Sequence, residues 1–121
     1  MSQPRRSFNK SAGPLAQRFK SFLHAVATGD EKGIAEFVRD YPKQISRKGS
    51  NGNTALHVAA SKGKNISVRA LIAAGAQINA KNIYGDTPLM TAASEGHKDV
   101  VETLVAAGAD LSLKNKSNIT A

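Results

Sequence analysis

The sequence predicts an all-α protein assembled from short, repeated helical units, and three observations carry that prediction. The chain repeats itself: Gly52-Asn53-Thr54-Ala55-Leu56-His57-Val58-Ala59-Ala60 returns as Gly85-Asp86-Thr87-Pro88-Leu89-Met90-Thr91-Ala92-Ala93, always 33 residues on. Gly63, Val68, Leu71 and Gly75-Ala76 return at the same offset as Gly96, Val101, Leu104 and Gly108-Ala109, and a fixed period of this size marks a stacked array. Each unit is punctuated as a helix should be, with Thr before its first apolar stripe and Gly after it. The composition fits as well: aromatics make up 5% of the 121 residues and Trp is absent. A core of Ala, Leu, Ile and Val suits thin helices packed closely, not a sandwich built on large rings.

The elements follow in chain order. Residues 1 to 12 show no periodicity and read as a disordered arm. Gly13-Pro14 opens a helix whose apolar residues are Leu15, Phe19, Phe22, Leu23 and Val26, at steps of four, three, one and three. Lys20, Ser21 and Thr28 face outward from it. Asp30 is placed to cap a second helix carrying Ile34, Phe37 and Val38, and Tyr41-Pro42 closes it. This pair is a degenerate version of the repeat: Leu23-His24 match Leu56-His57 at offset 33, and Ala25 to Gly29 match Ala59 to Gly63 at offset 34. Small length changes belong in turns, where closure costs little.

In the second unit Thr54 is an N-cap, and His57 three residues on can close that turn reciprocally. Leu56, Ala59 and Ala60 form the apolar stripe, and the small Ala pair lets neighbouring helices approach. Gly63 ends this helix. Val68, Leu71 and Ile72 face inward from the next, which Gly75 ends, and the polar run Gln77 to Asn82 leads to the following turn. The third unit repeats the plan, with Thr87 as cap and Pro88 at the first helical position, where its missing N–H costs nothing. Gly96 and Gly108 end its helices, Val100, Val101, Leu104 and Val105 make the second apolar face, and Asp110 to Asn115 lead onward.

A 33-residue period carrying Thr-Ala-Leu-His-x-Ala-Ala and Thr-Pro-Leu-Met-x-Ala-Ala resembles the ankyrin-repeat family, over about residues 20 to 116. The resemblance implies a β-turn followed by two antiparallel helices per unit, stacked into an all-α ankyrin-repeat solenoid with β-turn or hairpin connections. The expected division is a basic arm (1–13), a degenerate first repeat (14–48), two full repeats (49–81 and 82–114) and the start of another (115–121). Ser117 to Ala121 align with Tyr84 to Pro88, with Asn118 in place of the turn Gly. The expectation is a fragment of a longer array, or a truncated product whose uncapped last repeat leaves an apolar flank open to weak self-association.

Two departures from the family pattern matter. Gly49, Asn82 and Asn115 stand where Asp is common, removing hydrogen bonds between adjacent turns that Asn replaces only in part. Met90 stands where His57 stands one unit earlier. Both changes predict a weaker third repeat.

Chemistry is sparse. The chain has no Cys, which excludes disulfides, thiolate metal sites and cysteine nucleophiles. No run of 18 apolar residues is present, and no apolar stretch of signal-peptide type follows Arg5 and Arg6, so an intracellular protein, cytoplasmic or nuclear, is expected. His57 reads as a structural capping residue, His24 as its counterpart in the first unit, and His97 as a solvated turn residue. No histidine pair has metal-ligand spacing. Asp30, Glu31, Glu95, Asp99 and Glu102 sit at helix starts and surfaces, and no phosphate-binding loop or nucleophile motif appears. Neither enzymatic activity nor a cofactor is expected.

Binding is what remains. The resemblance implies that a protein partner meets the turn tips and the exposed side of each unit's first helix. The tip residues are Ser50, Asn51, Asn53, Ile83, Tyr84, Asp86, Lys116 and Ser117, and the helix positions are Ser61, Lys62, Ser94 and Glu95. Lys48, Lys81 and Lys114 precede the turns. Ile83 and Tyr84 are apolar where solvation favours polar residues, and an exposed Tyr is a frequent interface anchor. Arg47, Lys48, Lys62, Lys81, Lys114 and Lys116 recur along the repeats as a basic stripe that would steer toward an acidic partner. The net charge of +8 is uneven: residues 1 to 20 hold five basic residues and no acid. An alternative is therefore nucleic-acid or acidic-surface binding through the arm and stripe, although Phe8 and Phe19 are the arm region's only stacking groups.

Overall fold

The computed structural model describes residues 13 to 113 and residue 115. The arm before Gly13, Lys114, and the expected start of a further repeat at Lys116, Ser117 and Asn118 lie outside the described residues.

Among those residues the chain forms six helices, α1 (Gly13–Thr28), α2 (Glu31–Asp40), α3 (Ala55–Lys62), α4 (Asn65–Ala73), α5 (Pro88–Ser94) and α6 (Lys98–Ala106), and no strand. Links of two or three residues fold α1 onto α2, α3 onto α4 and α5 onto α6. The first helices of the pairs pack in a row, α1 on α3 on α5, and the second helices in a parallel row, α2 on α4 on α6. This is the helical stack that the repeat predicts.

Local chemistry sets the boundaries. The Asp30 carboxylate accepts a hydrogen bond from the Gly33 N–H at 3.2 Å, and α2 ends where the Tyr41 N–H donates to the Phe37 carbonyl at 2.7 Å. The Thr54 hydroxyl accepts from the His57 N–H, and the His57 ring accepts from the Thr54 N–H at 3.1 Å, so the reciprocal cap is complete. Thr87 accepts from the Met90 N–H at 3.3 Å, with Pro88 beginning α5. A cap of this kind is worth about 1 kcal/mol. Helices α4 and α6 lack a side-chain cap. The residues before them are instead pinned to the preceding helix, Lys64 N–H to the Ala59 carbonyl and His97 N–H to the Ala92 carbonyl, each at 3.0 Å.

The core lies between the two rows. Leu56, Val68, Leu71, Leu89, Val100 and Leu104 are fully buried, and Ala55, Ala59, Ala60 and Ala92 let the helices close on one another. The first unit is built differently. Phe22 and Phe37 stack at 4.1 Å, with Phe19 at 6.1 Å from each and Tyr41 at 5.1 Å from Phe37. Offset and tilted ring pairs of this kind add to simple burial. Helices α1 and α2 also approach closely at Gly33, where a Cβ would lie 2.8 Å from the Ala25 Cβ. Arg18 bridges α1 and α2 at the surface, 2.6 Å from Asp40, whose pKa is held down to about 2 by hydrogen bonds from Arg39 and Arg18.

Two expectations need correction. His24 does not cap anything: α1 is one uninterrupted helix of 16 residues, so no helix start exists at Ser21, and His24 stands exposed in its interior. Val105 was expected on the inward face of α6 but is 42% exposed, because among the described residues no further helix packs on α6 as α6 packs on α4.

Adjacent units are joined by polar contacts through the core's edge. Ser67, wholly buried on α4, donates to the Val26 carbonyl near the end of α1 at 2.7 Å. On the next interface Thr103 donates to the Asn65 side chain at 2.8 Å. Replacing Ser67 by Ala leaves the Val26 carbonyl with only its long 3.4 Å bond from Gly29, and should lower stability by about 1 kcal/mol in denaturant titration without changing the slope. Coverage also differs between units: Ala60 is buried and its counterpart Ala93 exposed, and the His97 ring covers Gly63 while Gly96 is open. Hydrogen exchange should therefore find the α5–α6 amides less protected than those of α3–α4, and equal protection would refute this ordering.

Candidate protein-docking groove

The turns before α3 and α5 each form a finger. In the first, the Gly49 N–H donates to the Asn53 carbonyl at 2.7 Å, and in the second the Asn82 N–H donates to the Asp86 carbonyl at 3.1 Å. The fingers are sewn together, since the Ile83 N–H reaches the Asn51 carbonyl at 2.9 Å. Asn82 organises the second finger from inside. Its Oδ1 accepts from the Tyr84 N–H at 2.9 Å and the Asp86 N–H at 3.0 Å, while its Nδ2 donates to Asn53 Oδ1 at 2.9 Å. Asn115 Nδ2 repeats the stitch on Asp86 Oδ1 at 2.8 Å. The expected weakening from losing Asp is thus not what the geometry has: an aspartate accepts the same two amides but has no proton to give to Asn53.

His57 ties the same seam from the helix side. Its Nδ1 accepts from Thr54, and its Nε2–H donates to the Asp86 carbonyl at 2.7 Å, which fixes a neutral ring with the proton on Nε2. Burial pushes its pKa below the ordinary 6.5, against the opposing pull of the Asp86 carbonyl. Met90, at the matching place in α5, supplies neither bond. His97 departs from the solvated turn residue expected of it. It is half-buried, its Nε2 lies 3.0 Å from the Ser61 carbonyl, and its ring rests on Gly63, where a Cβ would approach to 2.6 Å. Gly63 has φ +67°, so the position combines a left-handed backbone with a close ring, and only glycine meets both demands.

Between the fingers and the first helices lies an open groove of about 710 Å³. The structure brings Asn53, Ser61, Lys62, Tyr84, Asp86, Ser94 and Glu95 together along it, seven of the positions expected to meet a partner. Asn53, Ser61 and Asp86 are half-buried and hold neighbours through the bonds above, while Lys62, Tyr84, Ser94 and Glu95 are exposed. Ser50, Asn51 and Ile83 stand exposed at the fingers outside the lining. Lys81 is exposed, and Lys48 also is but turns its ammonium onto the Lys81 carbonyl at 2.8 Å. Arg47 lies over the Phe19 ring at 5.1 Å. Among the described residues of the supposed basic stripe, only Lys62 lines the groove. Lys114 and Lys116 lie outside the described residues.

Sequence reasoning missed Val58, Met90, Thr91 and Ala93 on the groove floor. A signal was available for part of it: Val58 and Thr91 occupy one repeat position yet differ.

Two rows of helices with projecting fingers and one concave face define a helical-repeat binding module. The family model "Ankyrin repeats (3 copies)" matches residues 22–115, and the chain belongs to the ankyrin-repeat family. Ankyrin repeats are in general protein–protein interaction modules, typically without catalytic activity. None of the curated proteins compared with the chain matches it. No helix among the described residues is long and apolar enough to cross a membrane.

The histidine seam yields a pH prediction. His57 takes up a proton more readily unfolded than folded, so its contribution is fully present above about pH 6.5 and is lost as pH falls below that toward the depressed folded value. Thermal midpoints between pH 7.5 and 5 should fall for the native chain and fall less steeply for His57→Gln. Parallel slopes would show that another group is responsible.

Proposed function

We propose that this chain is a non-catalytic scaffold or adaptor that docks a protein partner along the groove between the fingers and the first helices. The observation that carries the reading is the placement of the aromatic residues. Of six in the chain, four build the first unit's core, and Phe8 belongs to the arm. Tyr84 alone stands on the groove, 55% exposed and held on a finger tied at its base. An exposed aromatic lining the groove from a finger whose backbone is tied is the kind of residue that carries a disproportionate share of binding energy. The docking surface includes Asn53, Ser61, Asp86 and Ser94, with Lys48, Ser50, Asn51, Lys81 and Ile83 on its finger side, and the repeat register of the sequence adds Lys114 and Lys116 as candidates.

A second reading rests on charge. Five basic residues and no acid in the first 20 positions would draw the arm to nucleic acid or another acidic surface. Affinity capture from cell extract, with and without nuclease, separates the two. The scaffold reading expects a protein retained through nuclease treatment, with binding weakened by about 2 kcal/mol or more in Tyr84→Ala. Capture that vanishes with nuclease and ignores Tyr84 would replace the groove with the basic arm.

A further inference from the structure

Resting on the docking reading, the structure narrows what the partner must present. The groove's ionised side chains are Lys62, Asp86 and Glu95, together with the neutral His57. Lys62 ends α3 and Glu95 follows α5 at the equivalent place one unit on, so at that end of the groove one positive and one negative group face solvent together. The finger end is different. There Tyr84 and Asp86 both line the groove, and Asp86 has no ion pair among the described residues. Its Oδ1 accepts from Asn115, and its other carboxylate oxygen has no hydrogen bond among the described residues. Lys48 and Lys81 flank the finger but are not part of the lining, and the Lys48 ammonium is already engaged by a carbonyl.

The geometry points to a socket for a cationic side chain, and we infer that the partner inserts an arginine between Tyr84 and Asp86. A guanidinium meets both surfaces at once: its plane stacks on an aromatic face while its edge N–H groups donate to a carboxylate oxygen. The socket is assembled before the partner arrives. Asn82 Oδ1 holds the backbone amides of both Tyr84 and Asp86, and the Ile83 amide is tied to the preceding finger. Little ordering remains to be done on binding, which favours even a modest contact. The basic stripe suggested an acidic partner, whereas the groove itself asks for a basic side chain at its finger end.

The test uses the full chain labelled with 15N and three acetylated, amidated heptapeptides, Gly-Ser-Leu-X-Leu-Ser-Gly, with X as Arg, Gln or Glu. Amide shifts are followed at Tyr84, Gly85 and Asp86 at the finger, and at Val58 and Thr91 on the groove floor. The expected order is Arg above Gln above Glu, with the Arg advantage over Gln about threefold to fivefold. Asp86→Asn should abolish that advantage without disturbing the finger, because an asparagine there still offers Asn115 an oxygen. Tyr84→Leu should reduce it while keeping apolar area. If the groove floor responds but Arg, Gln and Glu peptides bind alike, or the Arg preference survives Asp86→Asn, the socket is refuted and the groove stands. If no peptide shifts any groove residue, both readings fall.

Discussion

The contact on which this structure depends is the one each unit makes with the next. A single pair of short helices cannot bury its apolar stripe alone, and an Ala-rich face gives little area per residue to hold a neighbour. The neighbours are held instead by a seam of directed bonds reaching about one unit along the chain. At the fingers Asn82 meets Asn53 and Asn115 meets Asp86. At the helix ends His57 meets the Asp86 carbonyl and His97 the Ser61 carbonyl. Between the rows Ser67 of α4 meets Val26 of α1, and within the second row Thr103 of α6 meets Asn65 of α4. Buried and half-buried bonds of this kind are costly to leave half-made, so they fix the register that packing of Ala against Ala would leave loose.

That seam also explains where function can sit. The faces of α3 and α5 turned to each other and to the second row are consumed by packing, and the finger bases are consumed by the amide stitches. The side chains left free are those at the finger tip and the groove side of the first helices. The groove is what remains of each unit once its neighbours are satisfied, which is why its lining differs between units while its walls do not.

Much of this was legible in the sequence. Periodicity located the units, and Asp30, Thr54, Thr87, Pro88 and Tyr41-Pro42 announced helix boundaries through local hydrogen-bonding demands that act within four residues. Seven groove residues were placed by the repeat register. What was not legible depends on contacts a whole unit apart. His97 follows a glycine turn and looks solvated until the Ser61 carbonyl is seen above it. Asn82 looks like a weakened Asp until Asn53 is found beside it needing a donor. His24 shares its alignment with His57, but an extended α1 removes the helix start that gave His57 its task. The groove floor escaped because Val58 and Met90 are apolar residues in a helix, indistinguishable in isolation from core.

The seam has a consequence for how such a molecule can change its length. These bonds span about one period, so inserting or removing a whole period keeps the backbone acceptors in step, while the side-chain donors change with the unit, as Met90 in the place of His57 and Val100 in the place of Ser67 show. Inserting one residue within a period misaddresses them all. The aromatic unit is the exception. Its phenylalanines take space that leucine and valine fill elsewhere, and its α1 runs on where the other units turn into a finger. That unit is not interchangeable with the rest, so the two that follow it are the ones a lineage could copy or discard in whole periods.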